Sequence, residues 1–293
     1  MIPISLYVII EMLKLLQAKI INADVKMFFA DPEDMNFALC RNSDLIEELG
    51  QVEFVFSDKT GTLTQNKMEF KKCQVGSEVY GHLNDQDIAQ GVTEYTGMIS
   101  SSVKQVKTAM GQSFKQGSDE GTKLYNFFRL LAVCHTVVVD KDPRSGEILY
   151  QASSPDELAL IQGAKQSGLV LTERTQTVMK VMNEITGQVE EYEILQEFPF
   201  DSDRKRMTLI VRHKGRYILM CKGADSIMLP RLSKENKNQQ QLMYVQRELL
   251  SFAKEGLRTL VVCQKEMDQQ DYDKLNSKIY EIKTSEAALA AKE

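Results

Sequence analysis

The sequence predicts an α/β protein in which a mixed or antiparallel sheet is covered by helices. Three observations lead there. The run Glu53-Phe54-Val55-Phe56 is followed at once by a polar, glycine-containing turn, Ser57 to Thr62, the pattern of a buried strand. Strand-like runs joined by glycine turns fill Thr177 to Cys221. Helical stripes flank them, Leu124, Phe127, Phe128, Leu131 and Val133 before and Leu242, Val245, Leu249 and Phe252 after. Of 293 residues, 43% are hydrophobic and 26% charged, which excludes a mostly disordered chain, a collagen-like fibre and a multi-span membrane protein. Thirty-six basic against 41 acidic residues leave a charge of −5, so no global basic field attracts nucleic acid. At about 150 residues per domain, two domains fit. Five cysteines, odd in number and without Cys-x-x-Cys spacing, point to reduced thiols.

In chain order, Met1 to Ile10 is uncharged and apolar, and the pattern continues through Met12, Leu13, Leu15 and Leu16 past Glu11 and Lys14. It is shorter than the ~20 residues that cross a membrane. Two readings stay open: the cytosol-proximal half of a membrane helix, or an amphipathic terminal helix packed on a core. Gly97 to Thr122 is rich in Ser, Gly, Gln and Lys and reads as a mobile loop. Lys123 to Val137 reads as a helix. Ser154-Pro155-Asp156-Glu157 combines a cap residue, Pro at the first helical position and Glu three after the cap, a capping-box start. Gly168 can end that helix, and Leu169 to Leu171 resumes as a strand. Thr177 to Ile185 pairs with Gln188 to Gln196 around Gly187, and Met207 to Val211 with Arg216 to Cys221 through His213-Lys214-Gly215. A helix ended by Gly256 and a strand from Leu257 to Cys263 follow. The stripe Tyr272, Leu275, Ile279, Ile282 marks a last helix, and Ser285 to Glu293 is an alanine-rich, helix-forming tail. The three histidines (His82, His135, His213) show no ligand spacing and read as structural or exposed.

The strongest chemical signal is Asp58-Lys59-Thr60-Gly61-Thr62-Leu63-Thr64. A carboxylate at the carboxyl end of a parallel strand points into the crevice where α/β sheets bind ligands. It can attack a phosphoryl group to form an acyl phosphate. A metal held by Asp58 with nearby oxygens, and the Lys59 ammonium, would neutralise charge in that step. Gly61 permits the tight turn. Phosphatases of the haloacid-dehalogenase superfamily carry a second Asp two residues after the nucleophile as general acid and base. Thr60 stands there and cannot take that role, so an acyl phosphate should persist, as suits a pump better than a phosphatase. The heptapeptide resembles the phosphorylation motif of P-type ATPases. Its flanks, Glu47 to Glu53 and Thr64-Gln65-Asn66-Lys67-Met68, look like the phospholipid-flippase branch.

Four further segments have bland explanations singly. Phe198 to Thr208 sets aromatics before a basic cluster, with six Lys/Arg against two Asp from Phe198 to Arg216, a composition that suits a purine triphosphate. Lys222-Gly223-Ala224-Asp225 makes a strand exit, Glu255 to Leu260 places Arg258 after a helix-ending glycine, and Ser154 to Leu160 has its capping box. All four occur in the order the flippase branch shows. That resemblance implies that Phe200 stacks on adenine, with Glu157, Ser202, Lys222 and Arg258 lining an ATP site. It also implies Asp58, Lys59 and Thr60 as catalytic residues, and Asp58 with Thr60 as ligands of Mg2+. Arg204 and Arg206 become supports.

Pro3-Ile4-Ser5-Leu6 bears on the cargo. Cation pumps of the wider family place a carboxylate after this proline, whereas Ile4 cannot ligate a cation, so phospholipid transport is favoured. No Thr-Gly-Glu, Thr-Gly-Asp or Gly-Asp-Gly-x-Asn-Asp motif of the family occurs. The resemblance therefore implies a fragment from the fourth membrane helix through the nucleotide-binding domain. Residues 1–22 would be the C-terminal half of a membrane helix and 23–70 the start of a haloacid-dehalogenase-like phosphorylation domain. An α+β nucleotide-binding domain, 71–265 with its loop at 97–122, would follow, and then a helix, 266–293, leading back. Implied partners are a phospholipid, a membrane and an auxiliary membrane subunit, with the soluble domains facing the cytosol. The alternatives are a module that binds ATP without turnover, a cation pump and an autonomous phosphatase.

Overall fold

The computed structural model describes residues 3–30, 35–83, 97–144, 146–233 and 239–284. The chain divides into two compact units, Met1–Gln65 and Asn66–Glu293. The alanine-rich tail lies outside the described residues.

In the first unit, α1 spans Ile4–Asn22 with Pro3 at its N-cap. The charges at Glu11, Lys14 and Lys19 interrupt its apolar run. Among the described residues, no helix is long and apolar enough to cross a membrane. Lys14 pairs with Asp44 at 2.8 Å, and Asn22 Oδ1 accepts the Cys40 N–H at 2.6 Å. Two-residue strands β1 (Phe29–Ala30) and β2 (Met35–Asn36) pair antiparallel, and α2 covers Leu45–Leu49. The buried strand expected at Glu53 to Phe56 is absent. These residues are irregular, and Phe54, Val55 and Phe56 are 76%, 83% and 96% exposed. A parallel strand is buried only between neighbours that take up its N–H and C=O groups, and among the described residues no strand pairs with this one.

The second unit opens with a hairpin, β3 (Cys73–Val75) and β4 (Glu78–Tyr80). The mobile loop expected at 97–122 is instead α3, Ser100–Gln116, closed by Gly117 at φ 71° and followed by α4, Asp119–Val133, under a Ser118 cap. The small residues serve packing. Ser102, Val106 and Met110 recur at helical spacing on the buried face, and the Ser102 hydroxyl accepts the Gly81 N–H. A Cβ on Gly121 would sit 2.1 Å from the Ala109 carbonyl oxygen, so the two helices meet only because α4 carries glycine there. The Ser113 and Thr122 hydroxyls bond at 2.6 Å across the same contact.

After a short hairpin, β5 (Val138–Lys141) with β6 (Ile148–Gln151), comes α5, Pro155–Gln166. Next is a six-stranded sheet. Its members are β7 (Leu169–Arg174), β8 (Val178–Asn183), β9 (Gln188–Asp201), β10 (Arg206–His213), β11 (Arg216–Gly223) and β12 (Val261–Met267). Every pairing is antiparallel, in the order β12-β11-β10-β9-β8-β7. Lys214 and Gly215 both take positive φ, 48° and 77°, as a two-residue turn matched to strand twist requires. Between β11 and β12 run α6, Asp225–Met228, and α7, Gln239–Lys254; α8, Gln269–Thr284, closes the unit. The strand foreseen from Leu257 starts only at Val261.

One sheet face, with Met179, Val181, Tyr192, Leu209, Val211, Ile218 and Met220, is covered by Leu124, Phe128 and Leu131 of α4 and Ile161 of α5. The other face meets α8, whose Tyr272, Leu275 and Ile279 pack on Ile210, Tyr217 and Met267. A buried carboxylate, Glu190, sits inside the first layer and accepts from Tyr125 (2.6 Å), Tyr192 (2.5 Å) and Asn183 (3.0 Å). His213 stacks on Tyr192, and its Nδ1 lies 2.7 Å from the Glu191 carbonyl. All five cysteines are free.

Gly121→Ala should lower the urea midpoint by the equivalent of about 2 kcal/mol, the cost of overpacking against backbone. Gly111→Ala meets only Ile185 at 3.6 Å and should be neutral or stabilising by up to ~1 kcal/mol. Equal effects of the two changes would refute the close-contact reading of Gly121.

Candidate functional site

The heptapeptide forms an exposed loop. Asp58 caps its first turn, Oδ1 accepting the Lys59 N–H at 2.7 Å. The chain reverses through Thr60 (ψ 118°) and Gly61 (φ 80°), and the Thr64 N–H closes onto the Lys59 carbonyl at 3.2 Å. The positive φ explains the glycine. Mg2+ is usually held by one or two carboxylates together with phosphate and water oxygens. This loop supplies one carboxylate, and among the described residues no group of three His, Cys, Asp or Glu is disposed to hold a metal.

The second unit gathers its candidate residues at one end of the large sheet. Lys222, next to last in β11, follows Ile218 and Met220 on the face toward α4 and α5 and is 7% exposed. Its ammonium donates to Glu157 Oε1 at 2.8 Å. The other oxygen, Oε2, accepts from the Thr136 N–H at 3.0 Å and the Thr136 hydroxyl at 2.6 Å. Glu157 lies in the first turn of α5, where a carboxylate favours the helix dipole. The capping box expected there does not form: the Ser154 side chain makes no cap bond, and Glu157 turns away toward Lys222. One residue earlier, Asp156 Oδ2 accepts from Arg258 at 2.6 Å, while its Oδ1 is buried with no hydrogen-bond partner. Burial alone would raise the Glu157 carboxyl. The Lys222 charge and hydrogen bond and the two Thr136 donors outweigh it and hold the group below the usual carboxylate range.

Phe200, next to last in β9, and Ser202, in the turn that follows, lie at the same sheet end, where β10 pairs Arg206 with both Asp201 and Gly223, and Met207 with Lys222. Asp201 Oδ1 accepts the N–H groups of Asp203 (2.8 Å) and Arg204 (3.0 Å), and these hold its carboxyl low. Lys205, at φ 49°, accepts the Ala224 N–H at 3.1 Å. A Cβ on Gly223 would lie 2.6 Å from the Lys205 carbonyl oxygen, so the glycine of Lys222-Gly223-Ala224 admits this turn. The two aromatics divide: Phe198 has the Arg204 guanidinium at 5.6 Å and the Lys283 ammonium at 5.7 Å from its ring, whereas Phe200 is 63% exposed. An open ring is free to stack on a ligand. Of the five residues, Glu157 and Lys222 are bonded directly and Arg258 joins through Asp156. Phe200 and Ser202 share the edge without a side-chain hydrogen bond to those three. Asp156 and Thr136 were missed. Asp156 stood inside the Ser-Pro-Asp-Glu run, but Thr136 carries no sequence signal at all.

A strand-end lysine paired with a buried carboxylate, an arginine paired with Asp156 and an open aromatic ring thus lie at one end of the sheet. Residues 123–290 match the family model described as P-type ATPase, cytoplasmic domain N, and the chain belongs to the P-type ATPase family. It is 40% identical over 284 residues to "Phospholipid-transporting ATPase IC" of Xenopus tropicalis, which covers 95% of this chain and 22% of the relative. The Homo sapiens protein of the same name is 39% identical over 95% of the chain and 22% of the relative. "Probable phospholipid-transporting ATPase 12" of Arabidopsis thaliana is 36% identical over 98% and 26%. The chain thus spans about a quarter of the length of these relatives.

Removing one member of a buried ion pair costs about 3–5 kcal/mol, so Glu157→Leu should destabilise strongly and Glu157→Leu with Lys222→Met should recover most of the loss. The native carboxyl lies below its ordinary value of 4.5. The stability it contributes is therefore full above that value and lost as pH falls through the lowered one. Chemical denaturation should show the gap between wild type and Glu157→Gln closing as pH falls below the ordinary value of 4.5. A gap independent of pH would contradict the assignment.

Proposed function

We propose that this chain is the part of a phospholipid-translocating P-type ATPase that binds ATP and carries the phosphorylated aspartate. The observation that carries the reading is that the Lys222–Glu157 and Arg258–Asp156 pairs lie at the sheet end where Phe200 presents an open ring. In this reading Phe200 stacks on adenine, and Lys222 and Arg258 supply positive charge to the nucleotide. Glu157 and Ser202 complete the wall. In the whole protein Asp58 attacks the γ-phosphoryl of Mg2+-bound ATP. Its O–P bond forms as the bond to ADP breaks, giving an aspartyl phosphate. Lys59 offsets the developing charge, and Thr60, unable to act as general base, leaves the intermediate intact long enough to drive transport.

A lipid cargo is supported by the names of the relatives and by Ile4 after Pro3, an apolar residue that cannot ligate an ion. Under the same proposal residues 1–22 are the inner half of a membrane helix. Residues 23–70 begin a haloacid-dehalogenase-like phosphorylation domain, 71–265 form the nucleotide-binding domain, and 266–293 lead back. The soluble parts face the cytosol, and an auxiliary membrane subunit is a further family expectation. A second reading is that this chain by itself binds ATP without turnover.

Titration calorimetry with ATP should show at least about tenfold weaker binding for Phe200→Ala and for Lys222→Ala, each losing a stacking or charge-assisted contact. Unchanged affinity in both removes the site assignment. With γ-labelled ATP the purified chain should acquire no acid-stable, hydroxylamine-sensitive phosphate. Label that Asp58→Asn abolishes would show turnover and displace the binding-only reading.

A further inference from the structure

Glu157 is held in place by a residue to which the nucleotide reading gives no part. Thr136 lies in the buried segment that leaves α4 and grips Glu157 Oε2 with both its N–H (3.0 Å) and its hydroxyl (2.6 Å). The segment is itself pinned from the sheet. The His135 Nε2 lies 2.9 Å from the Ala132 carbonyl, and its Nδ1 meets the Val137 N–H at 3.1 Å and the Arg174 guanidinium at 3.2 Å. Arg174, on β7, also donates to the His135 carbonyl and to Glu197 Oε2 of β9 at 2.6 Å. A continuous chain of contacts therefore runs from β9 through β7 and the loop to α5, and ends on Lys222 of β11.

Resting on the nucleotide reading above, we infer that Thr136 is a positioning residue for nucleotide recognition. Its two donors fix the orientation of the Glu157 carboxylate and, through it, the Lys222 ammonium at the strand exit. A carboxylate has about four acceptor positions. Thr136 takes two on one oxygen and Lys222 takes one on the other, so the remaining position lies on the Lys222 side. The ammonium spends one of its three donors on Glu157 and keeps two for an acceptor. Without the hydroxyl, one donor is left on Oε2 and the carboxylate can rotate, taking the lysine with it.

The ionisable groups that interact with Glu157 are Lys222 from β11 and Cys134 and His135 from the loop, with the Asp156–Arg258 pair next along α5 and Arg174 of β7, bonded to Glu197 of β9, one contact further behind His135. Burial, with the Arg174 and Lys222 charges, pushes His135 down to about 3, and burial pushes the Cys134 thiol up to about 12. Both values lie outside the range from pH 8 down to 4.5, so a difference between variants on the acid side of that range reports on carboxylates.

The test compares ATP affinity of wild type, Thr136→Val and Thr136→Ser from pH 8 down through the ordinary carboxyl value of 4.5, with urea midpoints taken in parallel. The nucleotide's own titration cancels between variants. Thr136→Val should bind about tenfold more weakly, a charge-assisted hydrogen bond's worth, and should lose affinity on acidification at a higher pH than wild type. Thr136→Ser, which keeps the hydroxyl, should follow wild type in both respects. Should the valine variant fail to fold, Thr136→Ala must show the same acid shift. An unchanged affinity and pH profile in Thr136→Val or Thr136→Ala, or a serine variant as impaired as the valine one, overturns the inference. Failure of the wild type itself to bind ATP overturns instead the nucleotide reading on which it rests.

Discussion

Taking an ammonium and a carboxylate out of water costs several kcal/mol for each ion, and their attraction repays this only where the geometry is good and the remaining polar positions are filled. Glu157 and Lys222, 8% and 7% exposed and 2.8 Å apart, meet that condition because Thr136 supplies two further donors. The architecture of the second unit follows from keeping this pair in register. Helix α5 must start where its first turn faces the end of β11, and the loop leaving α4 must pass beneath it. The Arg174–Glu197 contact anchors that loop to β7 and β9.

The same constraint shapes the sheet edge. Gly223 follows Lys222 because the turn at Lys205 comes too close for any side chain. That turn is held by the Asp201 carboxylate accepting two backbone N–H groups, and it leaves Phe200 facing solvent. The edge thus has paired charges on its inner side and an open ring on its outer side.

Much of the second unit was legible because local chemistry and tertiary structure agree there. Period-2 alternation and the Lys214-Gly215 turn specify the β10–β11 hairpin, and Pro155 specifies the start of α5. The failures share a cause. Gly97 to Thr122 looks like a loop because its serines and glycines are turn formers in isolation, yet Ser102 and Gly121 are small so that α3 can lie against its neighbours. Glu53 to Phe56 looks like a buried strand because it is apolar, yet a strand also needs partners for its backbone. The Ser154–Glu157 box failed because Lys222 and Thr136 offer the glutamate stronger donors than a helix end does.

The sequence by itself determined the chemical vocabulary of this protein. It specified an aspartate in a tight glycine turn, a lysine ahead of a small-residue strand exit, an aromatic before a basic run, and the P-type family to which these belong. Those are matters of residue type and spacing along the chain. Only the tertiary structure decided which of them meet. It set Lys222 against Glu157 across 65 residues and Arg258 against Asp156 across 102, and placed Thr136 beneath them. It also separated Phe200, left open, from Phe198, which has cations near its ring. Hydrogen bonds and ion pairs act over about 3 Å, and which groups come within that reach is set by how strands and helices pack, not by their order in the chain.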